Sequence, residues 1–83
     1  VSTLAGKHAL VTGANRGIGA AIVRTLAAQG AQVTLMVRDR GAAERVAADV
    51  ATRTHIVTAD VSDRAAVRAG CESAVAALGP VDI

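Results

Sequence analysis

Three glycines fall within one short stretch, Thr12-Gly13-Ala14-Asn15-Arg16-Gly17-Ile18-Gly19, directly after the apolar run His8 to Thr12. A loop of this kind does its chemistry with main-chain groups. A glycine leaving a strand can adopt a positive φ that a side chain would oppose, which suits Gly13 to a tight turn. Gly17 lets backbone amides approach a bound group, and Gly19 lets the next helix lie close to the strand. The start of a helix carries free N–H donors and the positive end of the helix dipole, so an anion such as a pyrophosphate is the ligand it favours. Glycine trios are common in turns. One that follows an apolar strand and opens an amphipathic helix is in the context that gives the match its meaning.

The elements that must hold this loop alternate along the chain. His8 to Thr12 predicts a strand buried on both faces. Ile18, Ala21, Ile22 and Leu26 recur at three- and four-residue steps, and Gly30 follows as a stop, so residues 17–29 read as a helix. Gln32 to Val37 is a second strand. Residues 42–50 are helical by propensity, with Val46 and Val50 on one face. Thr54 to Ala59 is a third strand. Ser62 is expected to cap a last helix whose stripe is Val67, Cys71, Ala74, Val75 and Leu78, ended by Gly79-Pro80. Val81-Asp82-Ile83 reads as the opening of a fourth strand. This order predicts parallel pairing through right-handed crossovers. The fold class is α/β, the first half of a doubly wound Rossmann-type sheet that is three-layered when complete, with residues 1–83 as the N-terminal part of one domain.

Composition narrows the function classes. The chain has 83 residues, 52% of them hydrophobic, with no Phe, Tyr or Trp. That apolar fraction suits a packed domain rather than a disordered segment. Without tyrosine, no residue here can act as a phenolic proton donor, and without aromatics no base-stacking platform exists. The formal net charge is +2, with the cations scattered among seven acids, so no basic stripe for nucleic acid or acidic lipid is present. No apolar run approaches the ~20 residues of a membrane span, and residues 1–7 lack the apolar core of a secretion signal. One cysteine makes no internal disulfide. A soluble, cytoplasmic protein is the expectation.

The Thr-Gly-x-x-x-Gly-Ile-Gly arrangement of residues 12–19 resembles the single-domain branch of the short-chain dehydrogenase/reductase family. It differs from the Gly-x-Gly-x-x-Gly of two-domain dehydrogenases. Asp60-Val61 after the third strand, Gly30-Ala31 before the second and the closing Gly79 to Ile83 extend the likeness end to end. The resemblance implies a dinucleotide site formed by Gly13, Asn15, Arg16, Gly17, Ile18 and Gly19. It also implies an adenine contact from the Asp60 side chain and a main-chain contact from Val61. An NAD site usually holds a carboxylate at the end of the second strand for the ribose 2′-hydroxyl. By alignment to the family that position is Val37, and Arg38 follows. A guanidinium suits a 2′-phosphate, with Arg16 as a second cation, so NADP(H) is expected over NAD(H). Asp39 can pair with either arginine or cap the following helix.

Other residues carry weaker signals. Asn15 is equally suited to stabilising its own turn. His8 and His55 have no partners for metal or triad chemistry. Cys71 falls in the apolar stripe of the last helix and is expected to pack. Asp82 is expected to tie down a loop, and Asp60 and Asp63 to serve separate roles. No catalytic residue is assigned, because the family's Tyr-x-x-x-Lys pair finds no match and Lys7 is the only lysine. A first strand left without a fourth-strand neighbour would expose an open edge. The chain is therefore expected to be the cofactor-binding beginning of a larger enzyme, dimeric or tetrameric, acting on a carbonyl or secondary alcohol. The alternative is a non-catalytic dinucleotide-binding or sensing module.

Overall fold

The computed structural model describes residues 3–83; residues 1 and 2, and so the start of the expected domain and of the segment read for a secretion signal, lie outside the described residues. The elements follow in the order β1 (His8–Thr12), α1 (Gly17–Ala28), β2 (Gln32–Val37), α2 (Arg40–Ala48), β3 (Thr54–Thr58) and α3 (Arg64–Leu78). The three strands form one parallel sheet in the order β1-β2-β3, with His8 opposite Gln32 and Val33 opposite Thr54. The expected βαβαβα half-sheet is therefore present, with two helices on one face and one on the other.

Side-chain alternation on β2 explains the layers. Val33, Leu35 and Val37 join Val11, Val23, Ala27, Ala43 and Val46 in the core beneath α1 and α2. Met36 turns to the other face and joins Val57 and Ala59, against which Leu10, Ala66, Val67 and Cys71 of that side pack. All but the first residue of β2 are buried, as a central strand covered on both faces should be. Gly70 lets α3 lie close to the sheet, since a β-carbon there would meet Val57 Cγ1 at 2.6 Å and Met36 Cε at 2.9 Å.

The structure departs from the periodicity reading on α1. Its buried residues are Ala20, Val23 and Ala27, whereas Ile18 is 82% exposed and Ile22 43%. The helix is apolar nearly all round, so two stripes compete. The one with small residues at its ends faces the sheet and permits close approach. On α3, Val67, Cys71, Ala74 and Leu78 turn inward in whole or part, but Val75 is 46% exposed, about 100° around the helix from Ala74.

Helix α2 begins two residues earlier than its propensity suggests, because the Asp39 side chain accepts from the amides of Gly41 and Ala42. It also ends at Ala48, short of Val50. Asp63, not Ser62, caps α3 and accepts from the Ala66 amide. Ser62 is occupied elsewhere: its amide and hydroxyl both donate to Asp60 Oδ1.

Residues 81–83 form no regular strand but run along the free side of β1. The Leu10 amide donates to the Ile83 carbonyl at 3.0 Å, and the Asp82 amide to the His8 carbonyl at 2.8 Å. Asp82 also accepts from the His8 amide at 3.0 Å, which is the tethering role expected of it. The His8 ring is buried between two partners, with Nδ1 2.8 Å from the Gly79 carbonyl and Nε2 2.7 Å from Thr34 Oγ1. A carbonyl can only accept, so Nδ1 carries a proton, and in the neutral ring Nε2 accepts from the Thr34 hydroxyl.

Candidate dinucleotide site

The candidate site lies where the C-terminal ends of the three strands meet the start of α1. The chain leaves β1 through Gly13, whose φ is +61° and whose amide donates to the Met36 carbonyl at 3.0 Å. Gly17 opens α1 at φ +59°. Ideal β-carbons at both positions would meet only open space, so conformation, not crowding, calls for glycine there. Gly19 is different. A β-carbon on it would overlap the Gly13 carbonyl and stand 3.0 Å from Ala14 Cα. The first turn of α1 therefore presses directly on the turn leaving β1.

The three helix starts are not equivalent. Asp39 caps α2 and Asp63 caps α3, but the N-cap of α1 is Arg16, which makes no side-chain capping bond. The first α1 bond at this end runs from the Ala20 amide to the Arg16 carbonyl, at 3.3 Å. The donors ahead of it in the first turn are left for another acceptor, together with the positive end of the dipole.

Beside this helix start is a cleft of about 370 Å³ lined by Gly13, Asn15, Arg16, Met36, Val37, Arg38, Asp39, Ala59 and Val61. Five of the residues singled out from sequence thus line one space: Gly13, Asn15, Arg16, Arg38 and Val61. Gly17, Ile18 and Gly19 form the adjoining first turn of α1, and Asp60 flanks the cleft without lining it. Met36, Ala59 and Asp39 also line it, although no motif in the sequence marks them as lining residues. The rule that open parallel sheets bind ligands beyond the carboxyl ends of their strands would have found the first two. Asp39 pairs with neither arginine among the described ion pairs and instead caps α2.

Charge is arranged around the mouth. The Arg38 side chain is 79% exposed, and its Nε lies 3.9 Å from Asp60 Oδ2. Asp60 Oδ1 accepts from the Ser62 amide at 2.9 Å and from the Ser62 hydroxyl at 2.7 Å. These two hydrogen bonds, with a smaller contribution from the Arg38 charge, hold the Asp60 carboxyl below its ordinary range.

The other chemistry-bearing residues lie apart from the cleft. His55 Nε2 is 2.8 Å from Ser73 Oγ on the β3–α3 side, and Cys71 packs half-buried beneath α3. Among the described residues no group of His, Cys, Asp and Glu could hold a metal ion, and no helix is long and apolar enough to cross a membrane.

A dinucleotide fits what this site offers. Uncapped amides suit a diphosphate, glycine backbone without β-carbons would permit its close approach, and exposed guanidinium groups stand at the mouth.

Comparison with known proteins points the same way. Residues 7–83 match the short chain dehydrogenase family. The chain is 45% identical over 83 residues to glycine betaine reductase ATRR of Emericella nidulans, covering 96% of this chain and 6% of that protein. It is 40% identical over 79 residues to the 2-dehydro-3-deoxy-L-rhamnonate dehydrogenase (NAD(+)) of a Sphingomonas species, covering 95% of this chain and 31% of that one. Among solved structures, the 3-ketoacyl-(acyl-carrier-protein) reductase from Brucella melitensis, complexed with NADH, superposes with a TM-score of 0.90 at 41% identity. It covers 96% of this chain, which covers 33% of it. The chain thus spans about a third of the latter two relatives and far less of the first. With the parallel half-sheet, the glycine loop and a family match along nearly its whole length, this chain belongs to the short-chain dehydrogenase/reductase family.

Proposed function

We propose that the chain is the dinucleotide-binding part of an NADP(H)-preferring oxidoreductase that moves a hydride between the nicotinamide and a carbonyl or secondary alcohol. The observation that carries this reading is the start of α1. It is the helix start without a side-chain cap, and it adjoins a cleft whose mouth bears Arg16 and Arg38. Amides of the first turn hold the diphosphate, with Gly13 and Gly17 giving it room. The carboxylate flanking the adenosine end, Asp60, contacts the adenine, and the Val61 main chain lies beside it. Asn15 contacts phosphate or ribose.

NADP(H) is favoured by side-chain chemistry at the end of β2. Val37 turns into the core at 2% exposure and offers a ribose no hydrogen bond. Arg38 extends into solvent, its only ion-pair partner among the described residues being the exposed Asp60 carboxylate at 3.9 Å, and its planar guanidinium suits a 2′-phosphate. The bound nicotinamide supplies or accepts the hydride. This chain's residues hold the far end of the cofactor, and none of them is assigned a catalytic role. The protein as a whole is proposed to be a cytoplasmic oligomer acting on a small molecule, with residues 1–83 the N-terminal part of its nucleotide-binding domain.

Calorimetric titration of NADPH and NADH into the intact protein and its Arg38→Asp variant tests the cofactor reading. NADPH affinity is expected to fall at least tenfold relative to NADH, the factor for losing a charge-assisted contact of about 1.5 kcal/mol or more. An unchanged ratio rejects the assignment. Hydride transfer to no carbonyl compound, with tight dinucleotide binding retained, would leave the sensing module as the function.

A further inference from the structure

Arg38, just after β2, and Asp60, just after β3, face each other beside the cleft. Asp60 is not a freely moving carboxylate. Its Oδ1 accepts from both the amide and the hydroxyl of Ser62, and this turn aims Oδ2 at Arg38 Nε, 3.9 Å away. Arg38 has no other ion-pair partner among the described residues, and Asp39, its neighbour, is turned onto the start of α2. One guanidinium thus faces a fixed internal anion on one side and the cleft mouth on the other.

We propose that Asp60, anchored by Ser62, competes with the cofactor's 2′-phosphate for Arg38 and so sets how strongly the site discriminates NADP(H) from NAD(H). This rests on the reading of Arg38 as the 2′-phosphate ligand. The pair is exposed, 79% at Arg38 and 45% at Asp60, so it is weak enough to be displaced. A dinucleotide with a plain 2′-hydroxyl leaves the pair intact. One with a 2′-phosphate must draw the guanidinium from Asp60, and its binding is reduced by the strength of the pair. Asp60 is ionised throughout the neutral range as any ordinary aspartate is, and the Ser62 hydrogen bonds favour that charged form further. Asp60 and Ser62 are specificity-determining and positioning residues in this scheme, and the site tolerates both dinucleotides to a degree that Arg38 alone would not allow.

Asp60→Asn isolates the charge, since an amide oxygen can still accept from Ser62. NADPH and NADH are titrated into the intact wild-type protein, Asp60→Asn, Arg38→Ala and the double variant. Asp60→Asn is expected to raise the NADPH-to-NADH affinity ratio about two- to fivefold, the range for breaking an exposed ion pair. The ratio of the double variant should equal that of Arg38→Ala. Equal changes in both affinities on Asp60→Asn would make Asp60 an adenosine contact only and overturn the proposal. So would an increase that persists in the Arg38→Ala background, which would mean direct repulsion of the phosphate. If Arg38→Ala itself leaves the ratio unchanged, the cofactor reading fails first. If Arg38→Ala lowers the ratio and Asp60→Asn leaves it unmoved, only the competition fails.

Discussion

The carbonyl of Gly13 occupies the space that a β-carbon on Gly19 would need. This contact joins the turn leaving β1 to the first turn of α1, and it sets how α1 is rotated and where its free amides lie. Gly19→Ala should therefore lower stability by about 1–3 kcal/mol, the usual range for forcing extra volume into a packed site. Dinucleotide affinity should fall with it. Urea denaturation and NADPH titration of the intact protein read the two effects. Full retention of both would show that α1 can shift without consequence.

Gly17→Ala should act by another route. The position is spacious but its φ is +59°, so the substitution is expected to cost about 1–2 kcal/mol in backbone conformation alone. Dinucleotide affinity should fall as well, because the added methyl stands in the open space that the diphosphate would use. Thermal unfolding with and without NADPH reads both effects, and unchanged stability and affinity would refute the role given to Gly17.

Asp39 ends at the start of α2, where it accepts from two amides. Asp39→Ala should cost about 0.5–2 kcal/mol by removing an N-cap. Asp39→Asn, which keeps the accepting oxygen, should recover most of it. Urea midpoints of the three proteins provide the measurement, and equal midpoints for wild type and Asp39→Ala would refute the capping role.

The buried pair of His8 and Thr34 links β1 to β2 on the α3 side of the sheet, and the Gly79 carbonyl extends it to the end of α3. Thr34→Val preserves shape but removes the hydroxyl that serves Nε2. A loss of about 1–3 kcal/mol is expected for the unsatisfied ring nitrogen. The double variant with His8→Phe should be less harmful than the sum of the two changes. Hydrogen exchange at the Leu10 amide, bonded to Ile83, should quicken in either single variant if the clasp holds the 79–83 segment in place.

Asp60 gives the protein a definable acid limb. Its folded carboxyl sits below its ordinary value, so it contributes stability above the unfolded value of about 4 that is lost as pH falls through the folded one. Asp60→Asn should flatten stability against pH below about pH 4 while leaving the profile above pH 6 unaltered. Ser62→Ala should give an intermediate slope, because one of the two hydrogen bonds remains. An acid limb identical in all three proteins would show that other carboxylates control it.

Much of this architecture is legible in the linear order of residues. The strands His8–Thr12 and Gln32–Val37, the glycine turn and the βαβαβα order all follow from short-range requirements: apolar runs of strand length, positive φ at Gly13, and stops after helices. Those requirements act within a few residues and need no knowledge of the rest of the chain. What only the tertiary structure decided involves choices between locally equivalent options. Helix α1 offers two apolar faces, and the close fit of Gly19 on Gly13 turns Ala20, Val23 and Ala27 inward while Ile18 and Ile22 face out. Ser62 and Asp63 are both good caps, and the position of Asp60 draws Ser62 away and leaves α3 to Asp63. The cleft itself is built from three strand ends that lie more than twenty residues apart in sequence, and the 3.9 Å approach of Arg38 to Asp60 exists only because β2 and β3 run side by side. Spacing along the chain encodes conformation, but the meeting of distant side chains is a property of the packed sheet.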